Sequence, residues 1–515
     1  MAKKKKSERK KSGPAASRAS NPKASSPVGR EAAGPDGKGR DFEGRRGADP
    51  GGASSATAPR ADAAWRRRLG RPVDAASLAF FRVAFGLIMA YHCLDYLSHS
   101  RIARWYVDPP ILFHYPGFSW ISPLSQEQME FFFIALAALA SAMAAGFFYR
   151  AASAIFFLGY TYIFLLDAAR YNNHEYLICL LAFLMIFLPS GAARGLRASF
   201  AAGRTVPAWG VDLMRFQVGV PYFFGGLAKL NYDWLVRGEP IGLWLREGPA
   251  ESALDLPFFR GQQAGHFFAW GGTVFDLLIV PALLWPRTRP WAYGAAVAFH
   301  LANSQLFVIG IFPWMMIALT TVYFGPSWPR RLAVRFGSGK PSAGAKASSP
   351  ASSPAFSPVS APLAAALALW IASQALLPFR HLAISGHVDW TEEGHRYAWR
   401  MKLRHKEGQI RFRVRDGASG RVTVYENFAG VLSTVQQRMM LHDPEMVRQF
   451  THRLRERLEE QGMTRPEIRV ESSIALNGRR PAPMLDPRVD LASAPAAPWG
   501  SAPWILPIDL ESSLP

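Results

Sequence analysis

Cysteine is scarce. The 515 residues contain two, Cys93 and Cys179, both inside apolar runs. That excludes a disulfide framework. With no C-x-x-C and no Cys/His ligand spacing, no zinc site or other metal is predicted either. Acidic residues are outnumbered, 38 against 59 basic ones, for a net charge of +21. Beside apolar spans such an excess sets topology or meets anionic lipid, so membrane lipid and not nucleic acid is the predicted partner. The polar N-terminal stretch has no apolar h-region, which excludes a cleavable signal peptide and leaves the first apolar helix as an uncleaved anchor. Internal repeats of the helical pattern are missing as well, which argues against a repeat-built transporter.

What is abundant is apolar material: 49% of residues are hydrophobic and 13% aromatic, far more than one soluble core needs. Residues 1–63 stand apart, rich in Lys, Arg, Ser, Ala, Pro and Gly, and are predicted to be a disordered basic tail. Apolar runs then predict helices near 78–97, 128–147, 150–167, 176–190, 212–230, 267–285, 290–302, 305–324 and 362–378. The charged loops "RRRLGR", Arg150, "RGLRASFAAGR", "WPRTRPW" and "PRRLAVRFGSGK" fall on one side if these spans alternate. The N-terminus is therefore predicted to be cytoplasmic and the C-terminus exoplasmic.

The expected fold is thus a mainly α-helical polytopic membrane protein of about nine transmembrane helices with a small α+β exoplasmic C-terminal domain. Its predicted parts are the tail (1–63), a transmembrane domain carrying helices one to eight (64–336), a flexible Ser/Pro/Ala linker (337–360), a ninth helix (361–379) and the soluble domain (380–515). In the last, "QIRFRVR" and "RVTVYEN" alternate around "DGASG" as a hairpin. A helix is predicted from Asp443-Pro444 to a stop at Gly462, and "EIRVESSIAL" reads as a further strand.

Three polar stretches interrupt the apolar runs, and alternation puts all of them on the exoplasmic side: "DAARYNNHEYL" (167–177), "GGLAKLNYDW" (225–234) and "FHLANSQLF" (299–307). Polar groups at membrane depth are costly and tend to face a functional cavity. Each stretch also has an ordinary explanation. Lys229 can snorkel from a helix end, His174 can sit at the interface, and His300 can cap a helix. Asn172, Asn173 and Gln305 add amides able to orient a substrate in an apolar pocket.

Together with "RPVDAASLAFFRVAFGLIMA", "FLLDAARYNNHEYLICLLAF", "YFFGGLAKLNYDW", "FHLANSQLFVIGIFPWMM", "LPFRHLAISGHVDWTEEGHRYAWRM" and "DPRVDLASAPAAPW", these stretches resemble the vitamin K-dependent γ-glutamyl carboxylases, in order and approximate spacing from about residue 65 to 515. The resemblance implies a membrane enzyme that consumes reduced vitamin K (the hydroquinone), O2 and CO2. The quinol becomes its epoxide and a glutamate of a protein or peptide substrate is γ-carboxylated; an unidentified quinone reductase would recycle the cofactor. The γ-C–H of glutamate is too weak an acid for any side-chain base. Oxygenation of the quinol supplies the stronger base, whose basicity survives only where water is excluded.

The resemblance implies Lys229, His174 and His300 as catalytic. Lys229 matches the lysine that starts quinol deprotonation, which requires a neutral amine of the kind apolar surroundings favour. His174 is implied to steer protons near the substrate carbanion and His300 to hold the oxygenated quinol. Asn172, Asn173, Tyr171, Asn303, Gln305, Trp234 and Trp390 are the implied substrate- and quinol-binding residues. The segment "WTEEGHRYAW" (390–399) departs from the family pattern where the glutamate substrate is associated, and animal members' membrane-to-soluble disulfide and long C-terminal extension have no counterpart. Two alternatives therefore stay open: a quinol epoxidase that does not carboxylate glutamate, and a non-enzymatic quinone or lipid binder. A composition heavy in Ala, Arg, Pro and Gly suits a high-G+C bacterium, which would make the membrane the cell's inner one.

Overall fold

A computed structural model describes residues 59–189, 200, 204–247, 261–335, 358–428, 430–498 and 500–514. Most of the predicted basic tail and of the Ser/Pro/Ala linker, and the charged loop "RGLRASFAAGR" apart from Phe200 and Arg204, lie outside the described residues. Helix α1 (Pro59–Gly70) and a short antiparallel pair, β1 (Pro72–Asp74) with β2 (Thr205–Pro207), lead into a helical bundle. Its members are α2 (Ala76–Asp95), α3 (Gln126–Ala145), α4 (Tyr149–Leu166), α5 (Asn173–Phe187), α6 (Ala208–Ala228), α7 (Gln262–Leu284), α8 (Arg289–Leu306), α9 (Phe312–Thr320) and α10 (Ala361–Leu376). They stand where the apolar runs put them, with one correction. Residues 305–311 do not begin the eighth apolar helix: α8 runs on through Leu306, and α9 starts only at Phe312, with Pro313 in its first turn. His300, Asn303 and Gln305 accordingly lie on the last turns of one helix and not on a loop.

Among the described residues, five helices are long and apolar enough to cross a membrane: α2, α3, α4, α7 and the helical stretch Ala361–Ala383 that contains α10. α5 and the stretch Phe312–Tyr323 are apolar but shorter. One apolar core runs through the bundle from Leu78 and Phe85 on α2 to Met315 and Leu319 on α9. Large apolar side chains also point outward, among them Phe131, Leu158, Leu278, Trp291 and Leu369. A water-soluble exterior would not carry so many, whereas lipid covers them at no cost.

The C-terminal domain is built on a three-stranded antiparallel sheet in the order β4 (Val422–Tyr425), β3 (Lys406–Arg415), β5 (Glu467–Leu476). Phe412 is opposite Tyr425 on one side and Val470 on the other. Strict alternation buries Ile410, Phe412 and Val414 against α11 (Thr434–His442) and α12 (Pro444–Glu460). Phe412, Phe428 and Phe450 meet edge to face at 4.9–5.1 Å. The predicted bounds of α12 hold for the reasons read in the sequence: Asp443 accepts from Glu445 N at 3.0 Å, and Gly462 takes the left-handed turn at φ 92°.

This domain docks on the bundle through polar clamps. Asp233, just past α6, is held by both guanidinium nitrogens of Arg479 and by Asn477 Nδ2 at 2.9 Å. Gln436 Nε2 donates to Ile111 O at 2.8 Å, and Gln449 exchanges two hydrogen bonds with the His114 backbone. Ile111, Phe113, Ala168 and Ala169 from the bundle's loops belong to the domain's own core.

Candidate active site

Lys229 caps the C-terminus of α6, its N–H bonded to Gly226 O at 3.1 Å. The side chain does not leave the bundle. Nζ donates to Asp276 Oδ2 on α7 at 2.6 Å and to Gly225 O at 3.2 Å, and lies 5.5 Å from the centre of the Trp234 ring. Lys229 and Asp276 are 7% and 4% exposed. The glycines before the lysine make this approach possible: a methyl on Gly226 would lie 3.0 Å from Asp276 Cβ and 2.9 Å from Leu277 Cγ. Trp234 is fixed by its indole N–H, which donates to Ala269 O at 2.8 Å and to Thr273 Oγ1 at 3.1 Å. The surroundings of the amine are thus not apolar throughout. A buried acid is paired with it, because either charge alone would be too costly at that depth.

His300, 1% exposed, is held from its other side. Its Nε2 lies 2.7 Å from Tyr222 Oη on α6, which is 3.2 Å from Thr320 Oγ1 on α9. Nδ1 is buried with no hydrogen-bond partner among the described residues. Phe312 separates the two histidines, its ring 5.9 Å from that of His300 and 5.7 Å from that of His174. The first turn of α5 carries His174 beside Glu175, with Nε2 3.5 Å from Glu175 Oε1. Phe275, next to Asp276, stacks on Phe299 at 4.0 Å and lies 6.1 Å from Tyr222. An aromatic seam thus joins the lysine–aspartate pair to both histidines.

Residues 390–405 of the C-terminal domain roof this seam. Glu392, Tyr397, Trp399 and Lys402 all have left-handed φ, between 57° and 66°. Four such non-glycine residues in one segment is strain of the kind that gathers at functional sites. The segment is anchored on the α4–α5 turn. Tyr397 N donates to Tyr171 Oη at 2.6 Å, Tyr171 Oη donates to Asn173 Oδ1 at 3.1 Å, and Trp399 lies 5.2 Å from Tyr176. Met401 comes up to the glycine beside the pair: a methyl on Gly225 would sit 2.9 Å from Met401 Cε, 3.5 Å from Asp276 Oδ2 and 3.9 Å from Lys229 Nζ.

Residues 70–328 match the HTTM domain family, and residues 360–511 match the lumenal domain of vitamin K-dependent gamma-carboxylase. The chain belongs to the vitamin K-dependent γ-glutamyl carboxylase family. No solved structure matches it. Membership implies a carboxylase-type enzyme that involves vitamin K and acts on glutamate-containing proteins. Of the residues that the family resemblance pointed to, the carboxylase fold gathers Lys229, Trp234, His300, His174, Tyr171 and Asn173 along one seam and its roof. Others lie apart. Asn172 is exposed and bonded to Arg170 O at 3.1 Å, and half-buried Asn303 and exposed Gln305 are near the end of α8. Gln305 lines a shallow groove of about 340 Å³ with Phe307, Val308 and Trp314.

Trp390 begins the roof segment but its side chain does not face the seam. It is fully buried in the lumenal domain, its N–H donated to Leu506 O at 2.8 Å. Around it Lys406 Nζ donates to Trp390 O at 2.6 Å, His442 O at 2.5 Å and Glu392 Oε1 at 3.1 Å. Burial pushes the Glu392 carboxyl up and the Lys406 amine down from their ordinary ranges. Arg404 also contacts Glu392, Arg400 grips Asp389 with two nitrogens, and Arg396 pairs with Asp443 at 2.6 Å. Asp276, Glu175, Tyr222 and Met401 escaped the sequence reading. For Asp276 a signal existed: a lone acid inside "TVFDLLIVPALL" is rare enough in a span to mark a site.

Proposed function

We propose that the protein carries out vitamin K hydroquinone-dependent γ-carboxylation of peptidyl glutamate with CO2 and O2, coupled to quinol epoxidation. In this reading α2 to α10 all cross the membrane, the N-terminus is cytoplasmic, and the seam and lumenal domain face the exoplasmic side. The observation that carries it is the buried Lys229–Asp276 pair at the edge of an aromatic seam with two histidines. The seam suits an apolar quinol ring: Phe275, Phe299 and Phe312 offer flat apolar surface, and the orphaned His300 Nδ1 is a buried polar atom awaiting a hydroxyl.

When bound, the quinol supplies, with O2, the strong base that glutamate deprotonation needs. The chain's own residues do the rest. Lys229 takes the first quinol proton at Nζ once its own has been shared to Asp276 Oδ2, so the carboxylate sets when the amine acts as a base. Tyr222 orients the His300 ring with Nδ1 toward the seam, His174 serves the glutamate end, and Met401 with the strained roof keeps water from the pair.

The test is epoxide formation by purified, detergent-solubilised protein given vitamin K hydroquinone and O2, beside Lys229→Ala. Epoxide from the wild type and none from the variant is expected; epoxide from both would remove Lys229 from the chemistry. One observation favours a second reading, quinol epoxidation without glutamate carboxylation. In and just after the divergent 390–399 segment, Arg396, Arg400 and Arg404 are already paired to internal carboxylates, leaving them committed when a substrate carboxylate arrives. CO2 incorporation into a glutamate peptide decides between the two.

A further inference from the structure

Beyond His174 the seam continues to a group the proposed chemistry does not use. Glu175 Oε1 lies 3.5 Å from His174 Nε2 and 3.6 Å from His92 Nε2 on α2. Its Oε2 accepts from the Tyr160 hydroxyl of α4. His92 is 8% exposed, and neither ring nitrogen makes a hydrogen bond of normal length among the described residues. Two imidazoles from different helices thus converge on one carboxylate oxygen while a phenol occupies the other. Among the described residues no three such side chains are arranged to hold a metal ion. An acid at this depth is costly, and its place in the first turn of α5 offsets only part of that.

We infer that Glu175 is the positioning residue of His174 and, with His92, a proton store for it, an inference that rests on the proposed role of His174. With the His174 Nε2–H directed at Glu175, Nδ1 is left as the lone-pair nitrogen facing the seam. When Nδ1 accepts a proton, the proton on Nε2 passes to Glu175 Oε1 and from there to His92 Nε2. The net result is one proton gained by His92 and a tautomer change in His174; the return path reverses each transfer. The titratable and charged groups facing Glu175 are His92, Cys93 and Tyr96 of α2, Tyr106 beyond it, Tyr160 of α4, Arg170 of the α4–α5 turn, and His174 and Cys179 of α5.

Two measurements test this on the full-length protein. In the first, Glu175→Gln is expected to lower the ratio of carboxylated glutamate to epoxide about tenfold, a modest share of what general acid–base catalysis contributes. Glu175→Asp is expected to restore most of it. A ratio equal to wild type in Glu175→Gln overturns the inference. The second needs no turnover: infrared pH-difference spectra in which the Glu175 carboxyl band is the one lost in Glu175→Gln. His92→Asn is expected to move the titration of that band to higher pH, because it removes a cation that favours the carboxylate. An unmoved titration overturns the coupling. A wild type that makes neither product while His92→Asn still shifts the band would sink the proposed function and leave the relay standing.

Discussion

Lys229 and Lys406 are both buried lysines paired to a carboxylate, one in the bundle and one in the lumenal domain, and they are held differently. An ammonium has three hydrogens to give. Lys406 places all three, on two backbone carbonyls and Glu392, and its side chain has no exposure at all. Glu392 in turn is shared with Arg404. Lys229 has one carboxylate and one carbonyl at 3.2 Å as its hydrogen-bond acceptors among the described residues, with the Trp234 ring centre 5.5 Å away. A fully saturated lysine has every hydrogen committed and ties segments together. An under-coordinated one, gripped by a single acid, can lose and regain a proton without dismantling its surroundings. The difference separates a lysine that builds the domain from one that, in the proposed function, serves the reaction.

Substitution at the two sites should break the comparison most sharply. Lys229→Met is expected to cut quinol oxygenation by about a thousandfold, the upper part of the range for a general base. Lys406→Met is expected to leave turnover per folded molecule within about threefold while costing roughly 3–5 kcal/mol of stability, as for any buried pair stripped of one partner. Epoxide assays beside thermal unfolding of the purified variants read both. The double variant Lys229→Met/Asp276→Asn should regain stability over Lys229→Met and none of its activity, since it removes the stranded acid but supplies no base.

Asp276→Asn tests whether the single acid is what makes the bundle lysine reactive; about a hundredfold loss of epoxide formation is expected, within the range for a group that handles the proton. Wild-type rates in that variant would reduce Asp276 to a charge neutraliser. A smaller effect, about tenfold, is expected for Tyr222→Phe, which frees the His300 ring to turn but leaves its nitrogens in place.

Acidification should separate the regions with the least force. Burial, joined by the Arg404, Arg400, Arg396 and Lys406 charges, holds His395 well below the ordinary histidine range, and burial with the Arg404 charge takes His442 from 6.5 down to about 3. A base depressed in the fold stabilises it fully above the unfolded value and progressively less as pH falls through the folded one. The lumenal domain is therefore expected to lose stability from about pH 6.5 toward pH 3. His442→Gln should flatten that slope in thermal unfolding followed by near-UV circular dichroism.

The helices, the hairpin, the Asp443 cap and the Gly462 stop could all be read in the chain because each depends on neighbours within a few residues: apolar runs, strict alternation, a capping side chain, a left-handed glycine. The same locality marked out Lys229, His174 and His300, through motifs no longer than a helix turn or two. Burial of Trp390 was not legible, since an indole beside a divergent segment looks the same in sequence whether it meets a substrate or Leu506. The end of α8 was misplaced because apolarity continues across it, and only Phe312-Pro313 marks where the next helix starts.

What required the tertiary structure were the pairings. Asp276 lies 47 residues from Lys229 and Tyr222 lies 78 from His300. His92 and His174 meet at Glu175 from different helices, and Met401 arrives from the other end of the chain. The sequence by itself determined which residues could carry a charge into an apolar bundle, because their chemistry is fixed by type and their depth by the hydropathy around them. Which opposite charge waits for each one is decided by how helices pack, and packing depends on contacts between segments that no local pattern specifies.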